Sequence, residues 1–84
     1  MKYLNAGFNN IVMLERIVAV VGSDTAPMRR LKEQFRKNNK LIDATNGRRT
    51  RSIIITDSDH FILSAAHPET IAQRIKDGAE EGKG

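Results

Sequence analysis

Two apolar runs in this 84-residue chain do not alternate with polar residues: Ile17-Val18-Ala19-Val20-Val21 and Ile53-Ile54-Ile55. Both are short and rich in β-branched residues, which reads as strand rather than helix. Successive side chains along a strand point to opposite faces. Strands apolar at every position therefore need cover on both faces of their sheet. The rest of the pattern offers one amphipathic helix and one shorter one. That is too little for both faces of a four- to six-stranded sheet, so another copy of the chain is expected to supply the missing cover. Size argues the same way. A lone domain of this length buries only about 60–65% of its unfolded surface, and such scaffolds often need a staple. The chain has no cysteine and two histidines, which excludes disulfides and the usual structural zinc sites. Self-association is the staple that remains.

The remaining elements follow from local signals. Ile11-Val12-Met13-Leu14 reads as a further strand, with Glu15-Arg16 as a tight turn or bulge before Ile17. Ahead of it, Asn5-Ala6-Gly7-Phe8-Asn9-Asn10 has the composition of a turn with a left-handed residue. Gly22 ends the second strand, Ser23-Asp24-Thr25 offers helix caps, and Pro27 suits a first helical turn. Met28, Leu31 and Phe35 then form one stripe of a helix reaching about Lys37. Asn38-Asn39 is a helix stop. Leu41 to Thr45 is extended, Asn46-Gly47 is a turn, and Arg51–Thr56 with His60–Ala65 form a β-hairpin across Asp57-Ser58-Asp59. Pro68 opens a short C-terminal helix with Ile71 and Ile75 on one face. The expected fold is α+β: a small, mainly antiparallel sheet, one main helix and a short C-terminal helix. Residues 1–76 form a single domain, and 77–84 a flexible acidic tail.

Charge is concentrated. The chain carries a net +4, but residues 29–51 alone hold nine cations against two anions. A cationic block inside a folded domain points to nucleic acid, an anionic surface or an acidic partner. Its densest part is Gly47-Arg48-Arg49-Thr50-Arg51. Guanidinium groups fork onto phosphate oxygens and guanine edges, and a neighbouring glycine lets backbone approach a ligand closely. Strand alternation would put Arg49 and Arg51 on one side and Arg48 on the other. The plainer reading is a solubilising strand end. Arg29 and Arg30 begin a basic helix face that could be a second contact surface or only a solvated one. Arg16, beside Glu15, reads from its surroundings as a rim residue.

Asp57, Asp59 and His60 match no metal-site spacing and read as a turn. No nucleophile–base pair has a local signature, and Gly47 opens no phosphate loop of the G-x-x-x-x-G-K-[ST] kind. An enzyme is not expected, nor a cofactor or metal. The four aromatic residues form no array for stacking single-stranded bases. No targeting segment or membrane span is read, which makes the cytoplasm the expected location.

The chain resembles the extracellular matrix regulatory protein A (RemA-like) family of small bacterial regulators. The matching stretches are Asn5-Ala6-Gly7-Phe8, Ala26-Pro27, Leu41-Ile42-Asp43-Ala44-Thr45 with Gly47-Arg48-Arg49-Thr50-Arg51, Asp57-Ser58-Asp59-His60 with Ile62-Leu63-Ser64-Ala65, and Pro68-Glu69-Thr70. The resemblance implies a nucleoid-associated transcriptional regulator of biofilm matrix genes. It implies ring-like homo-oligomers presenting repeated arginines to double-stranded DNA, with Arg16, Arg48 and Arg49 taking part in binding. Arg51 lies in the same motif, and Arg29 and Arg30 are added from the basic helix face. The expected partners are duplex DNA and other copies of the chain, with no membrane and no small-molecule substrate. An RNA-binding module and a protein–protein adaptor with a basic face remain as alternatives.

Overall fold

The computed structural model describes residues 2–23 and 25–81. Six strands and two helices follow in the order β1 (Tyr3–Asn5), β2 (Ile11–Met13), β3 (Ile17–Gly22), α1 (Ala26–Lys37), β4 (Leu41–Asp43), β5 (Ser52–Thr56), β6 (Phe61–Ser64) and α2 (Pro68–Glu81). A single 3-10 turn, Leu14–Arg16, joins β2 to β3. The class is α+β, as expected. Among the described residues no helix is long and apolar enough to cross a membrane.

The main sheet has the order β3-β5-β6-β4. β3 pairs antiparallel with β5, and β5 with β6, but the edge strand β4 runs parallel to β6. The hairpin thus lies between β3 and β4, and α1 crosses over it to connect the two edges. α1 starts where Thr25 Oγ1 accepts the Met28 N–H at 3.4 Å, with Pro27 in the first turn. It stops at Asn39, which takes φ 58, while Lys40 N–H bonds back to the Phe35 carbonyl at 2.8 Å. That left-handed residue turns the chain directly into β4.

The consecutive isoleucines divide between two cores. Ile53, with Phe61 and Leu63, faces α1, where Met28 and Phe35 cover it; the Phe35 and Phe61 rings stack at 3.8 Å. Ile54, with Ile62, faces the other way, toward Leu4, Ala6 and Val12 of the N-terminal hairpin and Ile71 of α2. Ile53, Ile54 and Ile71 have no exposed surface.

This arrangement corrects the argument that a second copy must cover one face. The chain covers both faces itself, because β1 and β2 form a separate two-stranded sheet that joins α2 on the second face. β1 is a strand that the sequence pattern does not announce. Three residues of Tyr-Leu-Asn carry too little pattern, and their pairing depends on the left-handed Gly7, Phe8 and Asn9 that reverse the chain. What remains uncovered is a set of edge and loop residues: Tyr3, Phe8, Ile11, Val18 and Ile42. Val18 is 67% exposed where the register of edge strand β3 slips against β5.

Two further expectations change. Leu31 does not complete the core stripe of α1; it is 37% exposed, and Met28 and Phe35 do the packing. The C-terminal helix is not short. It continues through Asp77 to Glu81, where a frayed acidic tail was expected to begin. The helical repeat that carries Ile71 and Ile75 onto the core gives it a long first section to build on. The last part of that tail, residues 82–84, lies outside the described residues.

Candidate nucleic-acid interface

The arginine cluster occupies the loop between β4 and β5, which is pinned at several points. Asn46 and Gly47 take φ 53 and 80, and the Arg48 N–H returns to the Thr45 carbonyl at 3.1 Å. Buried Thr45 is fixed by Asp43, whose Oδ1 accepts the Thr45 N–H at 2.8 Å and its hydroxyl at 2.5 Å. Those hydrogen bonds hold the Asp43 carboxyl below its ordinary pKa against the opposing effect of burial, with Arg36 and Lys32 adding attraction. Further along, buried Ser23 donates its hydroxyl to the Thr50 carbonyl at 2.7 Å, tying the end of β3 to the loop. The Arg51 N–H bonds the Ser64 carbonyl at 2.8 Å and extends the β5–β6 ladder by one residue.

A loop held this way sends its arginines in different directions. The Arg48 guanidinium lies over the Phe8 ring, 5.5 Å from its centre, in a depression that also involves Gly7 and Arg74. Arg74 in turn donates to the Asn5 carbonyl at 3.0 Å. Arg49 goes to the α1 side and lines a cavity of about 540 Å³ with Ser23, Thr50, Arg29 and Lys32. Arg51 is half-buried and shares a third depression with Arg48, Arg49 and Ala65. Residues 48–51 precede β5 and are not a strand, so strand alternation does not govern them, and Arg48 shares that depression with Arg49 and Arg51.

Of the six arginines singled out from the sequence, Arg48, Arg49 and Arg51 line one depression, and Arg49 lines a second with Arg29. Arg30 is exposed on α1, about 100° around the helix from Arg29, and is not among the residues lining that cavity. Arg16 is at the other end of the sheet. Its Nε meets Asp57 Oδ1 at 3.0 Å, and its carbonyl accepts the Asp57 N–H at 2.9 Å. Asp57 follows Arg51 by six residues along β5, which at roughly 3.3 Å per residue is about 20 Å.

In the sequence Lys32 is one more cation of the basic helix face, and nothing local places Ser23, Phe8 or Arg74 near the arginines. No local signal could have shown it, since Ser23 and Thr50 are 27 residues apart. The turn pattern around Asp57 carries no sign of its ion pair to Arg16. The turn reading itself holds for its neighbours. Asp59 takes φ 61, and Ser58 Oγ lies 2.8 Å from His60 Nδ1 and 2.9 Å from Thr56 Oγ1.

A family model described as "Extracellular matrix regulatory protein A-like" matches residues 3–75. A protein of Thermodesulfovibrio yellowstonii is 64% identical over 74 residues, covering 88% of this chain and 87% of that one. One from Shouchella clausii is 53% identical over 83 residues, 95% of each chain. Both bear the name "Putative regulatory protein". The match takes in both ends of the sheet, the arginine loop and most of α2. The chain belongs to the extracellular matrix regulatory protein A-like (RemA-like) family.

Proposed function

We propose that this regulatory protein binds double-stranded DNA as a transcriptional regulator, gripping the phosphate backbone through arginines repeated around a ring-like homo-oligomer. One observation carries the reading: Arg49 lines a cavity with Arg29 and Lys32 of α1 and also a depression with Arg48 and Arg51, so cations from two separate elements adjoin through it. Three loop arginines alone could be a solubilising strand end. Joined by Arg29 of α1 and held by a pinned loop, they make a preformed surface for phosphate oxygens.

One copy offers few contacts, so useful affinity requires repetition. Linking weak sites raises avidity by roughly 10²–10⁴ when geometry allows joint engagement. The exposed Val18 and Ile42 on the two edge strands, with Tyr3, Phe8 and Ile11 on the hairpin, supply apolar surface for self-association. Arg16 enters through the assembly. About 20 Å from the loop within one chain, it joins a continuous cationic track only when copies repeat. Arg30 extends the rim along α1. Sequence preference then comes from how readily a duplex bends to follow the track. The family's name points to extracellular matrix genes as targets, read in the cytoplasm at the nucleoid.

The test is a fluorescence anisotropy titration onto a labelled duplex of about 60 base pairs, repeated across salt and against matched RNA. Saturable binding with a steep salt dependence and preference for duplex DNA is expected. Binding that is absent at low salt would leave the basic rim to an acidic protein partner.

A further inference from the structure

The turn between β1 and β2 is held rigidly for so short a segment. Asn5 Oδ1 accepts the Gly7 N–H at 2.8 Å, and Asn10 Nδ2 donates to the Gly7 carbonyl at 2.8 Å. The Ser64 hydroxyl donates to the Ala6 carbonyl at 2.7 Å and ties the turn to the end of β6. Phe8 takes φ 52 between Gly7 and Asn9, which are also at positive φ. A bulky side chain in the left-handed region is strained. Here that backbone keeps the ring half exposed, beneath the Arg48 guanidinium. Three residues earlier, the Asn5 carbonyl accepts a bond from Arg74 Nη1 at 3.0 Å. One turn thus positions two arginines from distant parts of the chain. Both line the same depression of about 330 Å³, floored by Ala6, Gly7, Ala65 and Ala66. Small residues there leave room for a phosphate to come close. Each anchor is neutral, one an aromatic ring and the other a backbone carbonyl, so neither cancels the charge that it positions. Asp77, one helical turn beyond Arg74, accepts the Gln73 amide at 3.0 Å. Arg74 is exposed, and a guanidinium has five N–H donors, of which the Asn5 carbonyl takes one.

We infer that Arg74 is a further duplex-contacting residue, taking a backbone phosphate in the depression beside Arg48, and that the N-terminal turn is the device that sets both guanidinium groups for it. The inference rests on the reading of the arginine loop as a grip on DNA. It also widens that grip. Arg29 belongs to α1, which covers one face of the main sheet, and Arg74 to α2, which covers the other. With the loop between them, the end of the sheet carries cations on both covering layers.

The experiment is a set of anisotropy titrations of the whole chain on a duplex across salt, with Arg74→Gln, Arg74→Lys and Lys76→Gln. Sedimentation and thermal melting check assembly and fold. Glutamine keeps a donor for the Asn5 carbonyl and loses the charge, so a purely structural Arg74 predicts a wild-type salt slope. The contact predicts about tenfold weaker binding and a slope smaller in magnitude by about 0.9 per engaged subunit. Arg74→Lys keeps the slope. Lys76 is exposed on the same helix, about 200° around from Arg74, and Lys76→Gln leaves the slope at wild type. A second measurement holds even where glutamine disturbs assembly: bound duplex protects the introduced amine of Arg74→Lys from acetylation, and an unprotected amine overturns the contact. A wild-type slope in Arg74→Gln, beside a reduced one in Arg48→Ala, overturns Arg74 alone and leaves the DNA reading standing. Equal losses in Arg74→Gln and Lys76→Gln mean diffuse attraction and overturn the contact. A wild-type chain that binds no duplex at any salt overturns both readings.

Discussion

Arg48 and Phe8 form a pair that separates charge from positioning. If Arg29, Arg48, Arg49 and Arg51 each neutralise one phosphate, the plot of log affinity against log salt has a slope of about −3.6 per engaged subunit, at roughly −0.9 per phosphate. A rise from 50 to 200 mM salt then weakens binding about 150-fold per subunit footprint. Arg48→Ala leaves three contacts and a slope of about −2.7, so the same change in salt weakens binding only about 40-fold. Phe8→Ala acts differently. The ring carries no charge and holds the guanidinium at 5.5 Å, an exposed cation–π contact worth about 0.5–1 kcal/mol. Its loss weakens binding about two- to fivefold and leaves the slope unchanged. Both variants are read by anisotropy on the same duplex, with sedimentation confirming that the oligomer is unaltered. An Arg48→Ala slope equal to wild type would show that this guanidinium meets no phosphate. A changed slope in Phe8→Ala would show that the ring acts through assembly.

Other expectations concern the scaffold. Ile54→Ala removes a fully buried side chain between the hairpin and α2 and should lower unfolding free energy by about 2–5 kcal/mol in urea. Leu31→Ala, at 37% exposure, should fall below about 1 kcal/mol in the same assay. Asp43 has a lowered pKa in the folded chain, so its contribution to stability is complete above its ordinary value of about 3.8 and is lost as pH falls through the lower folded value. Asp43→Asn should flatten that acid limb of the stability profile, and an unchanged limb would remove Asp43 as a pin of the arginine loop. Arg16→Ala should cost at most about 1 kcal/mol, because both partners of its ion pair are about half exposed. Its effect on duplex affinity should be the larger one.

Local chemistry was readable wherever a residue type dictates backbone conformation. Asn39 stops α1 and Asn46-Gly47 turns the chain, each in the left-handed region, and Thr25 with Pro27 starts the helix. The hairpin of β5 and β6 followed from two apolar runs and a turn. What could not be read were pairings over distance. Period-2 patterning does not say that β4 joins the sheet parallel to β6, or that β1 and β2 close a separate sheet over Ile54. The demand for cover on both faces was sound, but its source was the chain's own N-terminus. The arginine motif was likewise legible as a motif. Its partners Lys32, Ser23 and Phe8 come from elements that only the fold brings near.

The loop's pins bear on why a basic rim of this size can be useful at all. An exposed arginine on a mobile loop gives up side-chain and backbone freedom when it meets a phosphate, at about 0.5–1.5 kcal/mol per ordered side chain. Here the backbone part is already fixed. Asp43 holds Thr45, Ser23 holds Thr50, and Ser64 holds Arg51. Each of these pins uses a neutral hydrogen bond or a carboxylate already satisfied by Thr45. Arg16 is the contrast, since its side chain is engaged by Asp57 and must exchange that partner for a phosphate. Under the proposed DNA-binding function, the loop arginines would therefore set the affinity of each copy. Arg16 would contribute only the difference between two charge-assisted bonds, small for one copy and growing with the number of copies on the duplex.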